Sequence, residues 1–342
     1  MPLANDPREV REIVQLFRNR QVSIAAFCTE NADCTQALMT AAQKAAEELR
    51  LARLPFFLAA TGRYNHRAQL ANYTALKDAV EGFMAFRDDV RRLSRTGGPF
   101  PNVSPIPFFD HGQPGADADL FEMGIGFWGG VMFDASELPI EQNIELTRKF
   151  VARRRGDCFI EGICDQVACA EEPGRQLDEP TTPEQARRYM DATGVDALVV
   201  NLGTEHRSMG ARRQYMKKRA HEIRDAIGHN MVLHGTSCLR RDEVATLRED
   251  GILKVNLWTT FEVETGRNVA RDVLRNLPKM LPAEEIKGLL LPFQNHYSDI
   301  PEMADLDHVT HIHRRDDIMV PTITRLAGEY FRWFGYERLR GA

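Results

Sequence analysis

No run of 18 apolar residues occurs anywhere in the 342-residue chain, which excludes a conventional membrane-spanning helix. The opening, Met1-Pro2-Leu3-Ala4-Asn5-Asp6-Pro7, has no apolar signal segment, so the cytoplasm is the expected compartment. Six cysteines are present and none forms a C-x-x-C pair, so neither a disulfide framework nor a structural zinc knuckle is indicated, and free thiols are expected. There is no basic block: 44 Lys and Arg are spread among 49 Asp and Glu for a net charge of −5, which leaves no footprint for nucleic acid or an acidic membrane surface. Internal repeats, low-complexity tracts and shifts of composition are also missing, so a single domain over 1–342 is expected. What is there is 43% hydrophobic and 27% charged residues, enough to bury a large core.

Short apolar runs alternate with amphipathic tracts along most of the chain. Strands are expected at 22–28, 54–60, 106–112, 129–134, 158–163, 195–203, 231–234 and 252–257, each an apolar run of the kind buried on both faces of a parallel sheet. Between them, helical spacing predicts helices near 35–51, 69–93, 116–124, 139–154, 182–194, 213–227 and 241–249, with one more ahead of the first strand at 7–19. Eight strands alternating with helices are what a closed (β/α)8 barrel requires, here at about 20–267, followed by a helical extension at about 268–342. An open doubly wound sheet is the alternative, but it has one switch point, and reactive residues end several strands that would not all meet there.

Three of those strands finish alike. Phe108-Phe109-Asp110-His111-Gly112, Gly203-Thr204-Glu205-His206 and Leu233-His234-Gly235-Thr236-Ser237 each deliver a histidine where an apolar run ends. One such histidine is more often a core or rim residue held by the backbone. Three at equivalent ends, with Asp110 beside the first, point to an open metal site, because three protein ligands leave a position for a substrate oxygen.

These segments resemble the class II, metal-dependent fructose-bisphosphate aldolases and their tagatose-bisphosphate relatives. Phe109-Asp110-His111-Gly112 is similar to that family's Leu-Asp-His-Gly signature, and Val131-Met132-Phe133-Asp134-Ala135-Ser136 to its Val-Met-Ile-Asp-Gly/Ala-Ser segment. The strands ending at His206, at Ser237 and at Thr259 match in order and spacing. The resemblance implies a (β/α)8 fold and reversible aldol cleavage of a ketose phosphate or related sugar acid phosphate, through a zinc-stabilised enediolate, giving dihydroxyacetone phosphate and an aldehyde. It implies one Zn2+ per chain, or another divalent metal, on His111, His206 and His234, and a proton shuttle at Asp110. Glu171 and Glu172 fall where the family exchanges the proton at the nucleophilic carbon, and Gly235, Ser237, Asn256 and Thr259 where it holds phosphate. A homodimer or homotetramer is implied as well, with the tail aromatics Phe331, Trp333 and Phe334 as interface candidates or as caps on the barrel.

The departures surround the substrate and spare the metal. Ile163 stands where a second glutamate is usual, Ala168-Cys169 replace two loop glycines, Cys28 replaces an asparagine, and Trp258 replaces an acid. Arg207, in place of the glycine after the second histidine, puts a planar cation near the phosphate site, which strengthens it or turns its preference to a carboxylate. The alternatives are an isomerase or epimerase using the same enediolate, and a non-catalytic aldolase-like partner subunit.

Overall fold

The structure, a computed structural model, describes residues 3–169, 179–206, 214–290 and 314–340. Ten strands are present among them: β1 (Ile24–Cys28), β2 (Leu54–Thr61), β3 (Val103–Gly112), β4 (Gly130–Phe133), β5 (Phe159–Ile163), β6 (Ala168–Cys169), β7 (Ala197–Val199), β8 (Glu205–His206), β9 (Met231–Leu233) and β10 (Ile252–Leu257). Eight close into a parallel barrel in the order β1-β2-β3-β4-β5-β7-β9-β10, with β10 returning to β1. The expected (β/α)8 architecture is therefore what the chain adopts. The other two, β6 and β8, pair with each other in a separate parallel ribbon beyond the ends of β5 and β7.

Two local features differ from expectation. The tract at 69–93 is two helices, Gln69–Tyr73 and Ala79–Leu93, because the Asp78 side chain caps the second one by accepting from the Val80 and Glu81 N–H groups. The run at 195–203 yields only the three residues of β7. Asn201 stops it: its N–H goes to Thr181 Oγ1 at 2.8 Å, and its own Oδ1 accepts from Gly203 N at 3.0 Å, a side-chain turn that competes with the ladder. His206 thus sits on its own short strand.

Inside the barrel, period-two alternation stacks side chains in layers. Phe57, Phe108 and Phe159 meet low in the barrel, with the Phe57 ring 5.0 Å from Phe108 and 5.9 Å from Phe159. Two residues past Phe159 on β5 comes Glu161, which meets Lys254 of β10; Asp110 lies two residues past Phe108 on β3, and Asn256 two past Lys254. The tail helix Val320–Trp333 packs outside. Phe331 and Phe334 are fully buried within the chain, Phe331 against Phe27, Phe56 and Tyr336, and only Trp333 of the three aromatics is half-exposed. Phe331 and Phe334 are thus covered by the chain's own residues and offer no apolar surface to a second subunit. Among the described residues no helix is long and apolar enough to cross a membrane.

Candidate active site

Neighbouring residues on a strand point to opposite faces, yet Asp110 and His111 both line the same pocket. The backbone explains it. His111 takes φ = +47°, the left-handed region, and the register of β3 against β4 shifts between Phe109 and Gly112. Such a bulge re-aims one side chain, and a non-glycine residue held in this region is strain that the surrounding fold must support.

The three histidines converge. Their candidate ligand atoms all lie within 4.8 Å of one another, and His111 Nε2 faces His234 Nδ1 at 3.2 Å. His206 completes the group from β8, its ring centre 5.4 Å from each of the others. The rings are held from behind. His111 Nδ1 meets Asp134 Oδ2 at 2.7 Å, and Asp134 Oδ1 accepts from Ser136 N and Oγ at 3.0 and 2.6 Å. Tyr64 lies flat against the His111 ring, centroids 4.2 Å apart and planes within 4°. Thr204 Oγ1 donates to the His234 carbonyl at 2.7 Å, tying the loop before His206 to the end of β9. Gly235 has φ = +74°, and a Cβ there would come within 2.7 Å of the Glu205 carbonyl oxygen, so glycine is required for β8 to pass so close.

These residues fit a divalent cation. Neighbouring ligands around a tetrahedral ion bound at about 2.0–2.1 Å lie about 3.3 Å apart, close to the His111–His234 separation. Burial drives the His234 imidazole well below its ordinary pKa, helped by His111 and His206, so the ring is neutral, the form that binds metal. Its Nε2 is buried with no hydrogen-bond partner among the described residues. For His111, burial pulls the pKa down, but the Asp110 and Asp134 carboxylates more than offset it and the net shift is upward. Burial alone would raise Asp134; hydrogen bonding to His111 and Ser136 carries it below the ordinary carboxylate value. The neutral His234 ring, with the Asp110 and Asp134 carboxylates beside His111, makes a field that favours a positive charge at the centre.

Asp110 lies 3% exposed beside this group. Both its oxygens accept from Asn256 Nδ2, at 3.0 and 3.1 Å, and Oδ2 also accepts from the Cys28 thiol at 3.7 Å. Beneath it, Lys254 Nζ donates to Glu161 Oε2 at 2.9 Å with both side chains essentially inaccessible, and the ammonium sits 3.9 Å above the Phe108 ring centre. Burial raises the Glu161 carboxyl to about 7, against the pull of Lys254. Above the histidines opens a pocket to which Arg67, Ser237, Trp258 and Thr259 also contribute.

The model of the fructose-bisphosphate aldolase class-II family matches residues 8–308. The chain belongs to the class II fructose-bisphosphate aldolase family. Among solved structures, the YdjI aldolase from Escherichia coli K12 superposes with a TM-score of 0.65 at 19% identity, covering 97% of each chain. The fructose-bisphosphate aldolase from Campylobacter jejuni superposes with a TM-score of 0.67 at 15% identity, covering 95% of this chain and 94% of that one. At such identities these likenesses show the shared fold. The family match makes this chain a class II aldolase enzyme, in a family that is generally metal-dependent and acts on sugar phosphates.

For this aldolase, the residues read from sequence divide into two groups. His111, His206, His234 and Asp110 come together with Gly235, Ser237, Asn256 and Thr259 around one pocket. Asn256 is placed as a partner of Asp110, and Gly235 has a backbone reason for being glycine. Glu171, Glu172 and Arg207 lie outside the described residues. Arg67, Tyr64 and the Lys254–Glu161 pair were not singled out from sequence. Only the last had a signal, a charge in the middle of each of two apolar strands.

Proposed function

We propose that this aldolase cleaves a ketose phosphate reversibly to dihydroxyacetone phosphate and an aldehyde, with one divalent ion, Zn2+ first among candidates, on His111, His206 and His234. The observation that supports it most is the close approach of the three imidazoles with Asp110 alongside. An ion held there supplies Lewis acidity toward the ketose carbonyl. Asp110 takes the proton of the hydroxyl next to the scissile bond; that carbon becomes the aldehyde, and the bonding pair passes to the former carbonyl as an enediolate. Asn256 and Cys28 keep Asp110 aimed. Glu171 or Glu172 returns a proton to the nucleophilic carbon, and Ser237, Thr259, the Gly235 backbone and Arg207 receive the phosphate. Asp134 holds the His111 ring in the tautomer that leaves Nε2 as the lone-pair donor.

The test is metal content of the purified protein together with release of dihydroxyacetone phosphate from a panel of ketose phosphates, with and without chelator. About one zinc per chain and chelator-sensitive release support the reading. Zinc without release, and with ketose isomers as products, would replace cleavage by isomerisation; a chain that takes up no metal on reconstitution would leave a scaffold. A second expectation concerns Asp134. Asp134→Asn should weaken zinc binding by about 10–100-fold in competition with a chelating dye, the usual effect of losing a partner behind a metal histidine. Unchanged affinity would remove Asp134 from the metal site.

A further inference from the structure

A sugar phosphate needs a matching charge in its pocket. Among the described residues lining the pocket over the three histidines, Arg67 is the only lysine or arginine. It is held on two sides. Nε donates to Glu30 Oε2 at 2.6 Å and Nη2 to Glu30 Oε1, a fork that sets the guanidinium plane, and Asn72 Nδ2 steadies the same carboxylate at 3.1 Å. The guanidinium carbon lies over the Trp258 indole, 4.9 Å from the ring centre. Glu30 takes the edge of the group that bears Nε and Nη2. An arginine ordinarily loses rotamer freedom when it grips a ligand; here folding has already fixed it.

The surroundings point the same way. In the same pocket wall the Trp258 Nε1 and Ser237 Oγ atoms are buried with no hydrogen-bond partner among the described residues. Buried polar atoms are normally satisfied, and with Asn256 Oδ1 and His234 Nε2 also unpaired in this lining, the set calls for a ligand that brings acceptors to Trp258 and Ser237 and a donor to Asn256. A phosphate has three acceptor oxygens.

We infer that Arg67, forked to Glu30 and lying over Trp258, joins the phosphate-binding groups named above as a further cation, and that it selects phosphorylated over neutral ketoses. The identity of the ligand rests on the aldolase reading above. Trp258 then acts as the platform that aims Arg67. The competing account is that Arg67 merely ties the segment after β2 to Glu30 at the end of β1.

The experiment compares wild type, Arg67→Gln and Arg67→Lys, each checked for zinc content and melting temperature. It measures kcat/KM on ketose 1-phosphate, ketose bisphosphate and unphosphorylated ketose, and binding of inorganic phosphate by calorimetry. The preference for a phosphorylated over an unphosphorylated ketose should fall by about 10–100-fold in Arg67→Gln, the range for charged hydrogen bonds, and by less in Arg67→Lys, which keeps the charge without the fork. The dissociation constant for phosphate should rise by a similar factor. An equal loss on all ketoses, or unchanged phosphate affinity, would overturn the inference in favour of the structural tie. If wild type cleaves no ketose phosphate, the substrate reading fails, and the phosphate titration still decides the role of Arg67.

Discussion

With Asp110 replaced by asparagine, turnover falls by about 10²–10⁴-fold, the share a positioned general base contributes, while zinc content and melting temperature stay near those of wild type. The reason lies in what Asp110 touches. Its carboxylate is bonded to Asn256 and the Cys28 thiol, and its neighbour His111 reaches the other histidines through a separate, left-handed turn of the backbone. Asparagine matches its shape and can still accept from Asn256, so packing is retained, but it cannot accept the hydroxyl proton. Exchange of the dihydroxyacetone phosphate carbon proton with deuterated water separates this role from that of the loop glutamates. That exchange needs no aldehyde hydroxyl, so it should persist in Asp110→Asn when cleavage has stopped. Loss of zinc from the variant would instead assign Asp110 to holding the metal.

The barrel was legible because its signal is redundant. Each of the eight strands is an apolar run bounded by turn residues, and closure follows from the count even where boundaries drift. The errors fell where a single polar side chain decides. Asp78 splits one helical tract by capping its second half, and Asn201 ends β7 early by taking over the turn. Each is a local bond that periodicity does not register.

Of the candidate site, the histidine cluster and its neighbour Asp110 were legible. His111 and His234 stand where barrel strands end, so their approach follows once the barrel closes, and His206 reaches them from the short strand β8 beyond β7. Arg67 and Tyr64 lie in an irregular polar segment after β2, and nothing in Gly62-Arg63-Tyr64-Asn65-His66-Arg67 tells one arginine or one ring from another. Their importance is set by what other strands bring to meet them, Glu30 and Trp258 for Arg67 and His111 for Tyr64. The substitution of an acid by Trp258 was visible in the sequence, but the cation lying over it was not.

Lys254 and Glu161 yield the largest expected change in stability. Lys254→Met leaves Glu161 without its partner in a layer floored by Phe57 and Phe108, and stranding a buried charge costs about 3–5 kcal/mol. The loss should depend on pH. In the wild type, burial holds the Glu161 carboxyl at about 7, above its ordinary value of 4.5, so the folded state resists its ionisation. A folded-state pKa above the unfolded one means stability from this group is complete below about 4.5 and is lost as pH rises through 7. Lys254 limits that loss by attracting the carboxylate. Without it the folded pKa climbs further and the loss continues to higher pH. Denaturant unfolding should therefore show a small deficit for Lys254→Met near pH 6, where the carboxyl is protonated in either protein, and the full deficit near pH 8.5. Adding Glu161→Leu should restore most of the stability, since an apolar pair of similar volume often replaces a buried ion pair without cost. A deficit that is the same at both pH values, or that the second substitution leaves unrepaired, would mean that Lys254 supports the barrel by packing over the phenylalanine rings and not by its charge.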